Sequence, residues 1–252
     1  MPEVIDLHSH VLPGLDDGVR TLDEAVALVR AAAAEGVTVL AATPHVRDDY
    51  PTTPAAAAAQ LTAVREAVRA AGVPVDVIAG GELDLEWLPR LADDELLQLA
   101  YGGTRAVLLE FPEGAWPRAL EPALDRVARL GLVPVLAHPE RNRSVQERPE
   151  LLRQLVSAGA IVQLTAASVA GHVGRSARAC SRALLDRGLA HLLASDAHGP
   201  HLRPYALREA VDALGDVRVA ASLVQDGPAA VLAGERPVAQ KRGTRRRWFG
   251  LG

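Results

Sequence analysis

Histidines and carboxylates follow most of the apolar runs in this sequence, and they are the residues best suited to chemistry. VIDL leads into a His-x-His pair, and five later runs lead into or end on His, Glu or Asp. Six of seven apolar runs therefore deliver a possible metal ligand at their carboxyl end. With Asp17 added, the set is His8, His10, Asp17, His45, Glu82, Glu110, His138, Asp196 and His198.

The residue types in this set favour divalent transition metals. Five histidines and four carboxylates, with no sulfur, fit zinc, manganese or iron better than calcium. Nine ligands exceed the needs of one ion and suit two or three. A lone His-x-His is more often solvated or buried without a metal, but the shared placement at strand ends favours a metal site. His172, His191 and His201 lack this placement. We expect His191 to be structural, and for His201, which is close in sequence to Asp196 and His198, a place in the lining of the site is the less favoured alternative.

The elements that position these residues are short strands alternating with helices. Predicted helices end at glycines that can take the left-handed conformation, and an apolar run follows each one: Gly36, Gly72, Gly131, Gly159 and Gly188. A capping box at residues 21–24 and the pair Thr53-Pro54 indicate helix starts.

This alternation predicts parallel strands joined by right-handed crossovers. Seven such strands predict a single α/β domain over residues 1–234, a distorted seven-stranded (β/α) barrel of the TIM-like type. A doubly wound open sheet is the alternative. Barrel active sites lie at the carboxyl ends of the strands, where all the candidate ligands except Asp17 fall.

Composition limits the class of protein. The single cysteine, Cys180, excludes an internal disulfide and a zinc site built on cysteines. The first residues, MPEVIDLHSH, lack the basic segment of a signal peptide, and no apolar run is long enough to cross a bilayer. We therefore expect a cytoplasmic protein.

Charge is distributed unevenly. The net charge is −4, and the five basic residues between 241 and 247 leave −9 for residues 1–240. An acidic body with only 3% aromatic residues argues against nucleic-acid binding. Residues 235–252 are predicted to form a basic, disordered tail. The alternative is a weak, salt-sensitive contact with a membrane surface or an acidic partner, with Trp248 and Phe249 as apolar anchors.

The segments DLHSHVLPGLDDG, TPH, GGEL, LLEF, AHPER and SDAHG, in that order, resemble the polymerase and histidinol phosphatase (PHP) family. They are most similar to its bacterial protein-tyrosine phosphatase branch, which is associated with capsule and exopolysaccharide operons. The resemblance runs from about residue 4 to about residue 232. It implies a PHP-type barrel and a phosphatase that acts on phosphotyrosine in protein, with a bacterial tyrosine kinase as the expected substrate and a homo-oligomer as a further possibility.

The same resemblance implies three divalent ions per chain, with Mn²⁺ favoured and Fe, Co or Zn as alternatives. Arg141 and Arg203 match arginines that meet the substrate phosphate, and Asp17 is a further catalytic candidate as a proton donor. The stretch QLTAAS from position 163 is less polar than in relatives, which leaves substrate preference open. The implied ligand sets are His8, His10, Glu82 and Asp196 for one ion, Glu82, Glu110 and His138 for the second, and Asp17, His45 and His198 for the third.

The expected chemistry is attack on phosphorus by a hydroxide that bridges two ions. A cysteine-dependent phosphatase needs an arginine six positions after its thiolate, but Asp186 stands there relative to Cys180. Two alternatives stay open: a histidinol-phosphate phosphatase of the same fold, and a regulatory metal-binding module without catalysis.

Overall fold

The computed structural model of this chain describes residues 3–199 and 202–242. His201 and residues 243–252 of the predicted tail lie outside that part of the chain. The strands are β1 (Val4–Ser9), β2 (Val37–Ala42), β3 (His45–Arg47), β4 (Tyr50–Pro51), β5 (Asp76–Ala79), β6 (Glu82–Asp84), β7 (Ala106–Glu110), β8 (Val133–Ala137), β9 (Ile161–Thr165) and β10 (Leu192–Ala194).

Helices lie between most of the strands, as the sequence predicts. They are α1 (Leu22–Ala34), α2 (Pro54–Ala70), α3 (Asp93–Gln98), α4 (Leu120–Arg129), α5 (Arg143–Glu147), α6 (Leu152–Ser157), α7 (Ala166–Ala170), α8 (Arg175–Arg187), α9 (Leu207–Leu214), α10 (Val217–Ala221) and α11 (Gly227–Leu232). Short 3-10 turns occur at Leu88–Arg90, Tyr101–Gly103, Pro139–Arg141 and Pro149–Leu151, and a π turn occurs at Ser222–Asp226.

The helix boundaries that capping residues and glycines predict are confirmed. The Thr53 side chain caps α2 by accepting from the Ala56 N–H, with Pro54 in the first turn. All five glycines predicted to stop helices have a positive φ, between 64° at Gly72 and 112° at Gly159. A side chain is strained at such an angle, so these positions favour glycine.

All seven apolar runs form strands, in two parallel sheets. One sheet has the order β1–β2–β5, and the other has the order β10–β9–β8–β7–β6–β3–β4. Among the strand pairings of the described residues, β3–β4 is antiparallel and the others are parallel. Strand order in both sheets follows the chain without the reversal that defines a doubly wound sheet, so the doubly wound alternative is not supported.

Two chain segments run from one sheet into the other. β2 continues into β3 across residues 43–44, and β5 continues into β6 across residues 80–81. A Cβ on Gly80 would lie 2.9 Å from the Thr43 Cγ2 atom, so the two crossing segments pack too closely for a larger residue there. Ser9, at the end of β1 in the first sheet, forms a parallel bridge to Ala197, which lies just beyond β10 of the second sheet.

Successive side chains along the strands alternate between two apolar clusters. Leu108, for example, belongs to one cluster, and Val107 and Leu109 belong to the other. The smaller cluster takes residues from all seven predicted strands, which therefore share one apolar interior: Ile5, Leu7, Ala41, Ile78, Ala106, Leu108, Val135, Ala137, Ile161 and Leu192.

The described part of the predicted tail, residues 235–242, contains neither helix nor strand. It contacts the body, because Arg236 donates to the Val156 carbonyl and the Arg242 Nε lies 3.7 Å from an Asp186 carboxylate oxygen. The division at residue 234 stays a prediction. Within the described ranges, no helix combines the length and apolarity that a membrane crossing needs.

Candidate metal centre

Eight of the nine candidate ligands lie at the carboxyl ends of the long strands, and Asp17 lies in the segment between β1 and α1. His8 is in β1 and His10 follows it, His45 opens β3, Glu82 opens β6, and Glu110 ends β7. His138 directly follows β8, and Asp196 and His198 follow β10. β3 and β6 pair so that His45 stands opposite Glu82. The short interruptions between β2 and β3 (residues 43–44) and between β5 and β6 (residues 80–81) therefore bring these two candidate ligands side by side.

Ligand atoms gather within 4.8 Å of one another in three groups. They are His8, His10 and Glu82; His45, Glu82 and Glu110; and His10, Asp17, His45 and His198. The first and third groups contain most of the members that the family resemblance implies. The second group pairs Glu82 and Glu110 with His45, whereas the resemblance pairs them with His138.

Glu82 is the central carboxylate and is fully buried. Its Oε2 atom lies 3.2 Å from His8 Nε2, 3.4 Å from His10 Nε2 and 3.0 Å from His45 Nδ1. Its Oε1 atom lies 2.8 Å from His138 Nε2. A carboxylate with four imidazoles around it can bridge more than one ion.

Asp196 stands on the other side of the His-x-His pair. Its Oδ1 atom lies 3.5 Å from His8 Nε2 and 3.3 Å from His10 Nε2. Its Oδ2 atom accepts from Arg141 Nη2 at 2.7 Å and from Arg203 Nη1 at 2.6 Å. Both predicted phosphate-binding arginines thus converge on one candidate ligand, Arg141 buried and Arg203 partly exposed.

Several ligand atoms are buried without a hydrogen bond. An unsatisfied buried polar atom costs about 1–3 kcal/mol, so a cluster of them requires an explanation. Divalent ions would satisfy them together, and mixed imidazole and carboxylate ligands suit Mn²⁺, Fe²⁺ or Zn²⁺. The atoms are Asp17 Oδ1, His45 Nδ1, Glu82 Oε2, Glu110 Oε2, His138 Nδ1 and His198 Nε2.

Three of the imidazoles are oriented by hydrogen bonds on their far side. His8 Nδ1 lies 2.9 Å from Gln163 Oε1, His10 Nδ1 lies 2.7 Å from Asp16 Oδ2, and His198 Nδ1 lies 2.9 Å from the Asp196 carbonyl. Each acceptor holds the proton on Nδ1 and directs the Nε2 lone pair into the cluster, as metal-ligating histidines require. The Nε2 atoms of His8 and His10 are only 3.3 Å apart.

Sequence reasoning missed the two side chains that do this orienting. Asp16 directly precedes Asp17, and the sequence pattern predicts a role for Asp17 alone. Gln163 is a single polar residue in the apolar strand β9, where its buried amide donates to the Leu164 carbonyl at 2.6 Å. A buried polar residue in an apolar run was the available signal for it.

Asp6, also missed, ties β1 to the segment after β10. Its Oδ1 atom accepts from the backbone N–H of His8 at 3.2 Å and of Ser195 at 3.1 Å, and its Oδ2 atom accepts from the Tyr205 hydroxyl at 2.7 Å. Burial raises its pKa, and these hydrogen bonds oppose that effect. Asp6 thereby joins the two segments that carry His8 and Asp196.

The electrostatics of the cluster favour cations. Burial would raise the pKa of Glu82 and of Asp196, but neighbouring imidazoles, His8 first, lower both well below the usual value. The pKa of Asp17 is also lowered, chiefly by the His198 imidazole, whose Nε2 atom lies 3.4 Å from Asp17 Oδ1. Ionised carboxylates in a buried site demand positive charge, which protons on the histidines or bound ions can provide.

Other ligands tend towards their neutral forms. Burial, followed by the charge of Arg141, lowers the pKa of His138 to about 4. Burial, followed by the charge of Glu82, raises the pKa of Glu110 to about 7. A neutral imidazole is the form that binds a metal, so His138 needs no deprotonation to act as a ligand near neutral pH.

The backbone is left-handed at two ligands, His138 with φ 37° and Asp196 with φ 54°. Among the described residues these are the non-glycine positions with positive φ. Such angles are uncommon for residues with a Cβ and cluster at functional sites. They turn the chain sharply after β8 and β10 and aim both side chains into the cluster.

The remaining histidines and the cysteine lie elsewhere. His191 is buried at the start of β10, where its Nδ1 accepts from the Val162 N–H. His172 is exposed and pairs with Glu209 at 2.9 Å. Burial raises the pKa of the Cys180 thiol to about 12, so it is not the nucleophile of a thiolate phosphatase.

A cleft of about 530 Å³ opens beside the cluster. Two candidate ligands, Asp17 and His198, line it, and so do Tyr50 and Leu202. A parallel α/β fold with a buried histidine and carboxylate cluster below an open cleft is the arrangement of a metal-dependent hydrolase.

The chain belongs to the capsular polysaccharide synthesis family CpsB/CapC, whose model matches residues 4–231. The tyrosine-protein phosphatase YwqE of Bacillus subtilis is 36% identical over 211 residues, covering 82% of each chain. The tyrosine-protein phosphatase CpsB of Streptococcus pneumoniae is 28% identical over 240 residues, covering 91% of this chain and 98% of the relative. The family predicted from the motifs is confirmed.

Solved structures agree with this assignment. A chain from a study of B. subtilis YwqE and S. pneumoniae CpsB, described there as unique metal-dependent tyrosine phosphatases, matches with a TM-score of 0.80 and 32% identity. The match covers 94% of this chain and all of the other. A phosphotriesterase homology protein from Escherichia coli matches with a TM-score of 0.62 at 10% identity, covering 90% of this chain and 98% of the other. That second likeness concerns the fold alone.

Proposed function

We propose that this protein is a metal-dependent phosphatase that hydrolyses phosphotyrosine on protein. One observation carries the proposal: nine histidine and carboxylate ligands converge, eight of them at the carboxyl ends of the long strands, and six of the nine leave a buried atom without a hydrogen bond. Family membership supports the choice of reaction, because relatives of similar length are named tyrosine-protein phosphatases.

We propose that the cluster holds three divalent ions, with Mn²⁺ favoured and Fe, Co or Zn also suited to the ligands. His8, His10, Glu82 and Asp196 would hold the first, and Asp17, His45 and His198 the third. Glu82 and Glu110 would hold the second with His138, as the resemblance implies, or with His45, which lies nearer Glu110. When bound, such ions act as Lewis acids towards phosphoryl oxygens and activate water.

The chain's own residues then bind and orient the phosphate. Arg203 is partly exposed at the cluster edge and can offer its guanidinium fork to non-bridging phosphate oxygens. Arg141 is more buried; it holds Asp196 in place and presents a second positive charge to the same phosphate. Both charges stabilise the negative charge that is redistributed as the ester bond breaks.

The leaving group of phosphotyrosine is a phenolate with a pKa near ~10, so it needs less protonation than an alkoxide. Asp17 lines both the cluster and the cleft and can carry a proton towards the ester oxygen. Its lowered pKa makes this a minor role, which fits a good leaving group.

We also propose that the seven long strands close into a distorted barrel. The shared apolar interior, the two chain segments that cross between the sheets, and the bridge between Ser9 and Ala197 support closure. The substrate would be a cytoplasmic protein such as a bacterial tyrosine kinase, and the basic segment after residue 240 could add a weak contact with an acidic partner or membrane surface. A homo-oligomer is compatible with these roles.

The decisive experiment compares substrates on metal-reconstituted protein. A phosphotyrosine peptide and histidinol phosphate are assayed for kcat/KM on one preparation, before and after chelation. We expect the peptide to be preferred and both activities to disappear with the metal. Preference for histidinol phosphate would assign the chain to that phosphatase activity, and no turnover of either substrate would favour a regulatory module.

A further inference from the structure

The cleft beside the candidate ligands has walls of two kinds. Asp17 and His198 line it and also belong to the cluster, so a phosphate held by the cluster can project its ester group into this cleft. The lining also carries charged side chains together with two large apolar groups, Tyr50 and Leu202. An ester group that leaves the cluster therefore meets an aromatic ring and a leucine.

The Tyr50 ring is fixed before any substrate arrives. Tyr50 pairs with Arg47 across the β3–β4 hairpin, and the Arg47 guanidinium carbon lies 5.1 Å from the ring centroid. The ring lies nearly parallel to the His45 imidazole, 15° apart with centroids 6.0 Å from each other. Arg47 also donates to Glu110 Oε1 at 3.1 Å. The hairpin thus ties the ring to two candidate ligands.

Leu202 provides a second apolar surface of the cleft. It is 57% exposed although it is a large apolar side chain, and it directly precedes Arg203, which donates to Asp196 at the cluster edge. A single exposed leucine is ordinary. Leu202 is relevant to substrate binding because it lines the same cleft as Tyr50 and stands next to Arg203, a proposed phosphate-binding residue.

We propose that Tyr50 and Leu202 form an aryl subsite that selects aromatic over alkyl phosphate esters, an inference that rests on the proposed function. Tyr50 contacts the ring of the phosphotyrosine side chain, and Leu202 provides a second apolar contact within the same cleft. Aromatic pairs in offset or edge-to-face contact strengthen binding by about 2- to 12-fold beyond simple apolar burial. The charged residues lining the cleft offer no comparable contact to an alkyl group.

The test uses phenylphosphonate and methylphosphonate, which share an anionic head group and differ in the ring. Their dissociation constants are measured by calorimetry on metal-loaded protein, for wild type, Tyr50→Phe, Tyr50→Ala and Leu202→Ala. Leu97→Ala is the matched control, because Leu97 is similarly exposed, at 43%, and does not line the cleft. Metal content is measured on each preparation, so that a disturbed His45 is recognised.

We expect wild type to prefer phenylphosphonate, and Tyr50→Ala to reduce that preference about 2- to 12-fold at unchanged metal content. Leu202→Ala should reduce it by a smaller factor, Tyr50→Phe should keep most of it, and Leu97→Ala should leave it unaltered. Equal loss of affinity for both phosphonates in Tyr50→Ala, or no preference in wild type, would overturn the subsite. Because binding is measured without turnover, an inactive protein that still prefers the phenyl compound would refute the proposed function and keep the subsite.

Discussion

Asp16 should control metal affinity without binding a metal itself. Its Oδ2 atom accepts from His10 Nδ1 at 2.7 Å and from the His45 N–H at 2.9 Å, and its Oδ1 atom accepts from the Gly18 N–H at 2.9 Å. Asp16→Asn replaces one acceptor oxygen by an amide that donates. An asparagine of the same shape therefore cannot satisfy all three donors.

The expected loss of metal affinity follows from the groups that Asp16 holds in place. Carboxylates that orient a ligating histidine change metal affinity or activity by about 10- to 100-fold when removed, which corresponds to about 1.4–2.7 kcal/mol. The upper part of that range is expected here, because Asp16 fixes the imidazole of His10 and the backbone of His45 together. The negative charge is also lost, and with it a contribution that raises the basicity of His10.

The assay is a competition titration of Mn²⁺ or Zn²⁺ against a chromophoric chelator, followed by kcat at saturating metal. Asp16→Asn should bind metal about 10- to 100-fold more weakly and regain most of its kcat when metal is saturating. Asp23→Asn is the matched control, since Asp23 is exposed in the first turn of α1. Wild-type metal affinity in a folded Asp16→Asn protein would refute this reasoning, and a kcat that stays low at saturating metal would give Asp16 a direct part in the reaction.

Further predictions concern the arginines, the thiol, acid stability and the tail. Arg203→Ala should lower kcat/KM about 10- to 150-fold with unchanged metal content, and Arg203→Lys should recover only part; metal loss on analysis would instead make Arg203 structural. Alkylation of folded protein should not reach Cys180, so activity should survive it and disappear with EDTA; the reverse pattern would contradict a metal-dependent reaction. Burial, followed by the charge of Arg236, lowers the pKa of His191 from 6.5 to about 4, so the folded state resists protonation of this imidazole. The free energy of unfolding should therefore fall as pH drops from about 6.5 to about 4, by at most about 3 kcal/mol. His191→Asn keeps an acceptor for the Val162 N–H and should remove that part of the slope in denaturant titrations; an unchanged slope would assign the acid sensitivity elsewhere. Deletion of residues 241–252 should leave hydrolysis of a small aryl phosphate within about twofold, and a larger loss in folded protein would place the segment near the site.

Five of the seven long strands could be predicted because one local pattern encodes them. A glycine with positive φ ends the helix, an apolar run follows, and in four of the five a candidate ligand comes after the run. His45 after β2 and His138 after β8 are examples. Each signal lies within about ten residues of sequence, which is the range in which periodicity and turn chemistry act.

Contacts between distant segments could not be predicted in the same way. β3 and β6 have three residues each, too few for a periodic pattern, yet their pairing brings His45 beside Glu82. The contact between Gln163 and His8 spans 155 residues, and no local rule selects that glutamine. Arg141 and Arg203 both donate to Asp196, although Arg141 lies 55 residues before it in the sequence.

The left-handed backbone at His138 costs folding free energy at a residue that is placed to bind a metal. A residue with a Cβ in this conformation costs roughly 1–2 kcal/mol, whereas glycine adopts it freely. In protein without bound ions, His138→Gly would relieve that cost but would also remove the 2.8 Å contact between the imidazole and the buried Glu82 Oε1 atom, and an unsatisfied buried polar atom costs about 1–3 kcal/mol. The two effects oppose each other at similar magnitude, so selection for thermal stability on the bare polypeptide has little reason to keep this candidate ligand. Stability engineering is therefore best done with divalent ions present.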